Sequence, residues 1–325
     1  MKTINIGLLG LGNIGTGTYK TLEMNHDHIA ESSGIDLRIT KILEIDVNRD
    51  RGIKVTSDQF TQDPDDIFSD PEIKIVIELL GGIEPATSFM LEAMKKGKSV
   101  VTANKAAVAA NFDKLIQTAT ENHVQFRFEA SVGGGIPILN AVTTVLGANQ
   151  FEEILGILNG TTNYIMTQMT EYGLDYDDVL KVAQEKGFAE ADPTADVEGI
   201  DVANKLSIMM ALAFGKYVHP DDIPTKGISQ ITKEDIDRAT ANKCKIKLIA
   251  QAKKTGDKVE YSVAPMELPY DHPLASVSNE FNAVFVKGNA VDELMFYGKG
   301  AGPLPTGSAV MGDVLSIAKI IAVHS

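Results

Sequence analysis

Short apolar runs alternate with longer mixed stretches over residues 1–131 of the chain. A strand covered on both faces reads as continuously apolar, so the runs predict buried parallel strands. They lie at residues 3–9, 37–45, 73–79, 99–102 and 125–130. Helices are predicted between them, for example at residues 86–96 and 111–122. Strands that alternate with helices predict a Rossmann-like, doubly wound parallel sheet in an α/β protein.

From about residue 132 the pattern changes. Extended runs at residues 244–252, 259–268, 283–287 and 293–297 follow one another without long helices between them. Such a succession predicts an antiparallel sheet in a second, α+β unit. A last helix is predicted from about residue 307 to residue 322.

The first predicted strand leads into a glycine-rich turn and then a helical stretch, and the turn reads Gly10-Leu11-Gly12-Asn13-Ile14-Gly15. In that context, G-x-G-x-x-G favours dinucleotide binding over an incidental turn. Gly10 permits the tight turn, Gly12 lets a diphosphate approach the backbone, and Gly15 lets the helix pack on the strand. The helix dipole then attracts the phosphates.

The end of the second predicted strand carries acidic residues. Glu44 or Asp46 stands where a carboxylate would hold the ribose hydroxyls, which favours NAD over NADP. Arg49 and Arg51 lie just beyond and could instead take a 2′-phosphate. The residues alone leave both cofactors open.

Three further loops follow strands of the first half. Gly81-Gly82 and Lys105 lie at the carboxyl edge of the predicted sheet, where ligands of such sheets bind, although an ordinary turn and a solvated lysine fit equally well. Residues 131–137 read SVGGGIP, which is glycine-rich enough to predict close backbone approach to a ligand, an ion or the next domain.

The segment 187–214 gathers carboxylates, an amine and a helix. Asp201 and Lys205 stand four apart, so both heads project from one helix face. An exposed salt bridge is the simplest interpretation, but the helix is so apolar that a buried pair must be neutralised or put to use. Upstream, the helix start at Gly160-Thr161 fits either a bound carboxylate or a plain N-cap.

Composition limits the partners. The chain has 325 residues, and its net charge of −14 argues against nucleic acid and anionic membranes. The one cysteine, Cys244, excludes a disulfide framework within one chain and indicates a reducing, cytoplasmic location. No apolar run approaches the roughly 20 residues of a membrane span.

Taken together, the motifs closely resemble homoserine dehydrogenase over essentially the whole chain. The matching strings are GLGNIG, TANKAAVA, FEASVGGGIPI, GILNGTTNYI, GFAEADPTADVEGIDVANKLSI and GKGAGPLPTGSAVMGDVL. The resemblance implies NAD(P)-dependent interconversion of L-homoserine and L-aspartate 4-semialdehyde, in threonine and methionine biosynthesis. It also implies a homodimer.

The resemblance assigns roles in the substrate site. Lys205 corresponds to the catalytic proton donor or acceptor, and Lys105 to a second lysine near nicotinamide and substrate. Glu190 corresponds to the residue that holds the substrate amino group, with Asp201 and the Gly160-Thr161 turn as neighbours. We therefore expect Asp201 and Lys205 to share the substrate hydroxyl and ammonium between them, so that they need not neutralise each other.

The cofactor and cation contacts follow in the same way. Cofactor contacts correspond to Gly12, Asn13, Ile14, Gly81 and Gly302, besides the turn glycines Gly10 and Gly15 and the acidic Glu44. Ile45 stands where many members carry an arginine suited to NADP, so NAD is preferred. A monovalent cation such as sodium would lie at Glu129, Val132, Gly134 and Ile136, held mostly by backbone carbonyls.

The predicted organisation is a dinucleotide-binding domain at residues 1–131, a substrate-binding and dimerisation domain at 132–302, and a C-terminal helix at 303–325 that returns to the first domain. We expect the short form of the family, without a C-terminal regulatory domain. An aspartate-semialdehyde dehydrogenase would need a nucleophilic cysteine, and Cys244 lies away from the motifs. The alternative function is a non-catalytic, dinucleotide-sensing binding protein.

Overall fold

The computed structural model describes residues 1–324, which form two compact units. Unit 1 is Met1–Gly135 together with the segment that starts at Ala301, and unit 2 is Ile136–Gly300. The predicted domain borders at residues 131/132 and 302/303 lie close to these limits. The functions assigned to the domains stay predictions.

Unit 1 contains a six-stranded parallel sheet in the order β3-β2-β1-β4-β5-β6. The strands are β1 Lys2–Leu9, β2 Ile35–Leu43, β3 Phe60–Thr61, β4 Ile73–Glu78, β5 Ser99–Thr102 and β6 Phe126–Arg127. The helices are α1 Asn13–Ser33, α2 Asp65–Phe68, α3 Ala86–Lys95, α4 Lys105–Ala110 and α5 Phe112–Glu121. The predicted parallel sheet is confirmed. Strand β6 is shorter than expected, because the chain leaves the sheet for a 3-10 turn at Glu129–Ser131.

Unit 2 contains the predicted antiparallel sheet, which has five strands in the order β11-β10-β7-β8-β9. The strands are β7 Phe151–Ile157, β8 Cys244–Thr255, β9 Lys258–Pro269, β10 Phe281–Gly288 and β11 Asp292–Lys299. The helices are α6 Gly160–Tyr172, α7 Tyr176–Glu185, α8 Thr194–Val197, α9 Ile200–Phe214 and α10 Lys233–Ala241. Helices α6 and α9 both pack on β8. The sheet is thereby covered on the face that carries these helices.

The last helix, α11 Pro303–His324, belongs to unit 1 and packs on α1. A Cβ atom on Gly17 of α1 would lie 2.2 Å from the Pro303 carbonyl oxygen, so only glycine lets the two helices approach so closely. Val310, Val314 and Ile317 are buried in the core beside the apolar residues of β1 and β2. Among residues 1–324, this is the one helix long and apolar enough to cross a membrane, a test that core helices also pass.

Candidate active site

The glycine turn after β1 fits a dinucleotide. Gly10 has a φ of +90°, and Gly12 is the extended residue immediately before α1. A Cβ atom on Gly12 would meet no atom within 4 Å, whereas one on Gly15 would lie 2.2 Å from the Gly10 carbonyl oxygen. Gly12 thus leaves open space at the helix N-terminus, and Gly15 is needed for close packing. These are the different roles expected of the two glycines in a turn that binds a diphosphate.

Glu44 follows β2 and reaches back to this turn. Its Oε2 accepts a hydrogen bond from the Leu11 N–H at 2.9 Å, and its Oε1 accepts one from the Asp46 N–H at 3.0 Å. Burial opposes ionisation, but these amides and the Arg51 guanidinium at 3.4 Å hold the pKa of Glu44 below its ordinary value. The carboxylate is therefore charged, and it braces the turn as well as lying at the predicted ribose position. Asp46 and Ile45 are exposed.

At the ends of β4 and β5, two loops are tied together. Asn104 caps α4 by accepting the Ala107 N–H at 3.1 Å, and it donates to the Gly82 carbonyl oxygen at 2.6 Å. Lys105 is the first residue of α4. Gly81 and Gly82 both adopt the left-handed conformation, so the chain turns back sharply at the sheet edge. The predicted cofactor residues Gly81 and Lys105 are thus brought to one edge of the sheet.

The predicted cation residues Glu129, Val132 and Gly134 lie in the loop that leaves β6. Glu129 is buried, and its N–H donates to Asp313 Oδ2 at 2.8 Å. Burial raises the pKa of Asp313 to about 7. Gly133 and Gly134 are left-handed, while Ile136 begins unit 2. Residues 1–324 hold no group of three or more His, Cys, Asp or Glu side chains that could bind a metal.

Unit 2 holds a buried polar cluster between α6 and α9. Lys205 Nζ donates to Asp201 Oδ2 and to the Leu158 carbonyl oxygen, both at 2.6 Å. Asn159 Nδ2 donates to the same Asp201 oxygen at 3.0 Å and to Asp196 Oδ1 at 2.7 Å. Lys205 is 8% exposed and Asp201 is 7% exposed. The cluster therefore combines a buried amine and a buried carboxylate with the half-buried carboxylate of Asp196.

Asp201 and Lys205 form a direct ion pair, so the two side chains do neutralise each other, whereas their expected contacts with the substrate stay a prediction. The interpretation of the pair as an exposed salt bridge, which the spacing alone suggested, is wrong, because both residues are buried. An unpaired charge at this depth would be strongly destabilising. Pairing across one helical turn meets that requirement and holds the amine in place.

The start of α6 lies next to this cluster. Asn159 caps the helix by accepting the Thr162 N–H at 2.8 Å, so the N-cap interpretation of this turn holds. A Cβ atom on Gly160 would lie 2.8 Å from the Glu280 carbonyl oxygen. The Thr161 hydroxyl donates to the Phe188 carbonyl oxygen at 2.6 Å. This bond attaches the loop that carries Glu190 to the helix start.

Glu190 itself is exposed on the loop between α7 and α8, where its main-chain oxygen accepts from Gln184 Nε2 at 3.1 Å. Its carboxylate takes no part in the hydrogen bonds of the cluster described above. The sequence did not assign a role to Asn159 or Asp196. The signal for Asn159 was available, since an asparagine before a predicted helix is a strong N-cap, but its second bond to Asp201 was not visible from spacing.

Comparison with known proteins agrees with these features. The family model "Homoserine dehydrogenase" matches residues 137–315, and "Homoserine dehydrogenase, NAD binding domain" matches residues 10–129. A homoserine dehydrogenase of Bacillus subtilis strain 168 is 44% identical over 319 residues, which are 98% of this chain and 74% of that protein.

Solved structures give the same result. The structure of a homoserine dehydrogenase from Thiobacillus denitrificans matches with a TM-score of 0.95 at 42% identity, over 99% of this chain and 75% of that chain. A hyperthermophilic archaeal homoserine dehydrogenase in complex with NADPH matches with a TM-score of 0.79 at 26% identity, over 97% of this chain and 97% of that chain. The similarity extends over both units.

Proposed function

This chain belongs to the homoserine dehydrogenase family, oxidoreductases that bind a nicotinamide dinucleotide, and we propose that Lys205 carries the proton in its reaction. The reaction interconverts L-homoserine and L-aspartate 4-semialdehyde. When bound, the nicotinamide dinucleotide exchanges a hydride with the substrate carbon. The protein must move one proton at the substrate oxygen in the same step.

Support for this role comes from the position of the Lys205 amine. Asp201 Oδ2 and the Leu158 carbonyl oxygen fix Nζ from two directions, and Asn159 in turn fixes Asp201. An amine held in this way is oriented before the substrate arrives, which is the arrangement that lowers a transition-state energy. In reduction the Lys205 ammonium donates a proton to the substrate oxygen, and in the oxidative direction the neutral amine accepts the hydroxyl proton.

The remaining substrate contacts are proposed from the same cluster and its neighbours. Glu190 neutralises the substrate ammonium, and Asp201 lies beside that ammonium. The start of α6 at Gly160-Thr161 offers the positive end of a helix dipole to the substrate carboxylate. Lys105, at the start of α4, is the second lysine that acts on cofactor and substrate.

The assay that tests the function follows absorbance of the reduced nicotinamide with L-homoserine and either NAD or NADP. Turnover that requires both homoserine and cofactor is the expected result. Absence of turnover with either cofactor at alkaline pH, with cofactor binding retained, would instead indicate the dinucleotide-sensing binding protein. Family membership does not favour that alternative.

We propose that NAD is the preferred cofactor. The Glu44 carboxylate is charged at the end of β2, and a charge of that sign repels a 2′-phosphate. Arg51 is already engaged by Glu44 at 3.4 Å and by the Leu11 carbonyl oxygen at 2.7 Å, which holds its guanidinium away from a 2′-phosphate. Ile45 is 86% exposed and supplies no charge. The ratio of kcat/KM for NAD and NADP tests this proposal, and a ratio that favours NADP contradicts it.

We propose that a monovalent cation such as sodium binds the loop at Glu129, Val132, Gly134 and Ile136. Support comes from the buried acids Glu129 and Asp313: the Glu129 N–H donates to Asp313 Oδ2 at 2.8 Å, and the negative charge of Glu129 adds to the burial that raises the pKa of Asp313. Two buried acids are costly unless a proton or a cation accompanies them. Activity that rises when choline chloride is replaced by sodium or potassium chloride at constant ionic strength is the expected result.

We further propose that residues 132–302 bind substrate and form a homodimer. Residues 1–131 together with 303–325 bind the dinucleotide. The enzyme works in the cytoplasm. For the dimer, the edge strand β11 exposes Met295 and Tyr297. For the location, support comes from Cys244, the one cysteine of the chain, which forms no disulfide within it. Light scattering after size exclusion should give twice the chain mass of 35.0 kDa.

A further inference from the structure

Glu78 is a completely buried carboxyl group at the edge of the unit 1 sheet. It is the last residue of β4, is 0% exposed, and is paired in register with Leu9 at the end of β1. Strands β1 and β4 are the neighbours at which the order of the sheet reverses. In doubly wound sheets, the crevice at this switch point is where dinucleotides bind.

The partners of Glu78 are neutral groups on two neighbouring loops. Its Oε1 accepts from the Leu80 N–H at 2.7 Å, and its Oε2 accepts from the Thr102 hydroxyl at 2.6 Å. The Thr102 oxygen in turn accepts from the Asn104 N–H at 2.9 Å. Asn104 then donates to the Gly82 carbonyl oxygen at 2.6 Å. The hydrogen bonds form a closed circuit that starts and ends at the Leu80–Gly82 turn.

We propose that Glu78 is a positioning residue that fixes the Leu80–Gly82 turn against the Thr102–Lys105 loop, and so sets the geometry for cofactor binding. The inference deepens the proposed function, because Gly81 and Lys105 are the proposed cofactor residues on these two loops. Glu78 acts through the loops and not on the reacting atoms.

The chemistry of the site explains why a glutamate stands there. Both oxygens of a carboxylate accept hydrogen bonds, and here each oxygen faces a donor. The amide nitrogen of a glutamine would lose the bond if it faced the Leu80 N–H, and it would turn the Thr102 hydroxyl from donor to acceptor if it faced Thr102, so the circuit would be rearranged in either case. Burial raises the pKa of Glu78, while the bonds from Thr102 and Leu80 oppose that rise. The circuit gives Glu78 no positively charged partner. The role of this carboxyl group is therefore to accept hydrogen bonds.

The test compares four variants of the full chain: Glu78→Gln, Thr102→Val, Thr102→Ser and the double variant Glu78→Gln/Thr102→Val. The dissociation constant of the reduced cofactor is measured by its fluorescence without homoserine, together with kcat, KM and the unfolding midpoint. We expect Glu78→Gln and Thr102→Val each to weaken cofactor binding about tenfold and to lower kcat per folded enzyme, because small misplacements of contact groups are costly. The double variant should be no worse than either single one, since both break one circuit. Thr102→Ser keeps the hydroxyl and should behave like the wild type.

The matched control is Glu92→Gln on the exposed face of α3, which should change neither binding nor turnover. The proposal is overturned if Glu78→Gln and Thr102→Val bind cofactor within twofold of the wild type, or if their effects add in the double variant. If Glu78→Gln does not fold, the contrast between Thr102→Val and Thr102→Ser decides. Because cofactor binding is read without homoserine, failure of the proposed dehydrogenase reaction would leave this test intact.

Discussion

Lys205 Nζ lies 2.6 Å from Asp201 Oδ2 across one turn of α9, and both side chains are buried. The same i,i+4 spacing recurs at Lys233 and Asp237 on α10, where the side chains are 43% and 65% exposed. The chain therefore contains one buried and one exposed Lys–Asp pair at the i,i+4 spacing. Burial is what separates a candidate catalytic pair from a solvated one.

We predict that Asp201→Asn lowers the free energy of unfolding by about 3 kcal/mol or more, because it leaves a buried ammonium without its counter-charge. Asp237→Asn is the matched control and should cost less than about 0.5 kcal/mol. Urea titrations of the two variants at pH 7 measure the difference. Equal losses would show that the buried pair has no special energetic role.

The glycine turn should separate folding from cofactor binding. Gly12→Ala adds a methyl group into open space, so it should fold normally but weaken cofactor binding by at least tenfold, since the diphosphate needs that space. Gly15→Ala places a methyl group 2.2 Å from the Gly10 carbonyl oxygen and should destabilise the fold. Thermal unfolding and cofactor titration together test this. Reversed effects of the two variants would contradict the proposed cradle.

Stability should depend on pH through Lys247, which is 2% exposed on β8. Its amine donates to Asn163 Oδ1 and to the Val277 carbonyl oxygen, at 2.9 and 2.7 Å. Burial, assisted by the positive charge of Lys245, lowers its pKa from 10.5 to about 7. Between these values the unfolded chain binds a proton that the folded chain does not, so stability rises with pH. The free-energy cost of burying the protonated Lys247 amine is fully present below pH 7 and disappears as the pH approaches 10.5.

The comparison with Lys247→Met isolates this group from others that titrate in the same range. The difference in unfolding free energy, wild type minus variant, should increase by up to about 1.4 kcal/mol per pH unit between pH 7 and 10. Urea titrations at several pH values provide the measurement. Curves that run parallel for the two proteins would mean that Lys247 does not titrate in this interval.

Much of the architecture could be predicted because it depends on local patterns. Continuous apolar runs identified five of the six strands of the parallel sheet and missed the two-residue edge strand β3. A succession of extended runs without long helices between them identified the antiparallel sheet. The spacing of Asp201 and Lys205 placed both on one helix face. It could not show that they pair, because pairing depends on the depth at which α9 is buried.

The missed residues act through contacts that are distant in sequence. Asn159 reaches Asp201, and Glu78 reaches Thr102, across 42 and 24 positions respectively. Such contacts arise only when strand ends and helix starts meet at a sheet edge, so no local pattern reports them. Glu44 illustrates the same limit, since its place at the end of β2 was predictable but its bond to the Leu11 N–H was not.

Lys205→Ala removes the amine that we propose to move the proton. Cofactor affinity, read by fluorescence, should stay within about threefold of the wild type, while kcat with L-homoserine should fall by several orders of magnitude, because the group that moves the proton is lost. The unfolding midpoint of the same preparation confirms that the variant is folded. A folded Lys205→Ala variant that turns over homoserine at the wild-type rate would contradict the account.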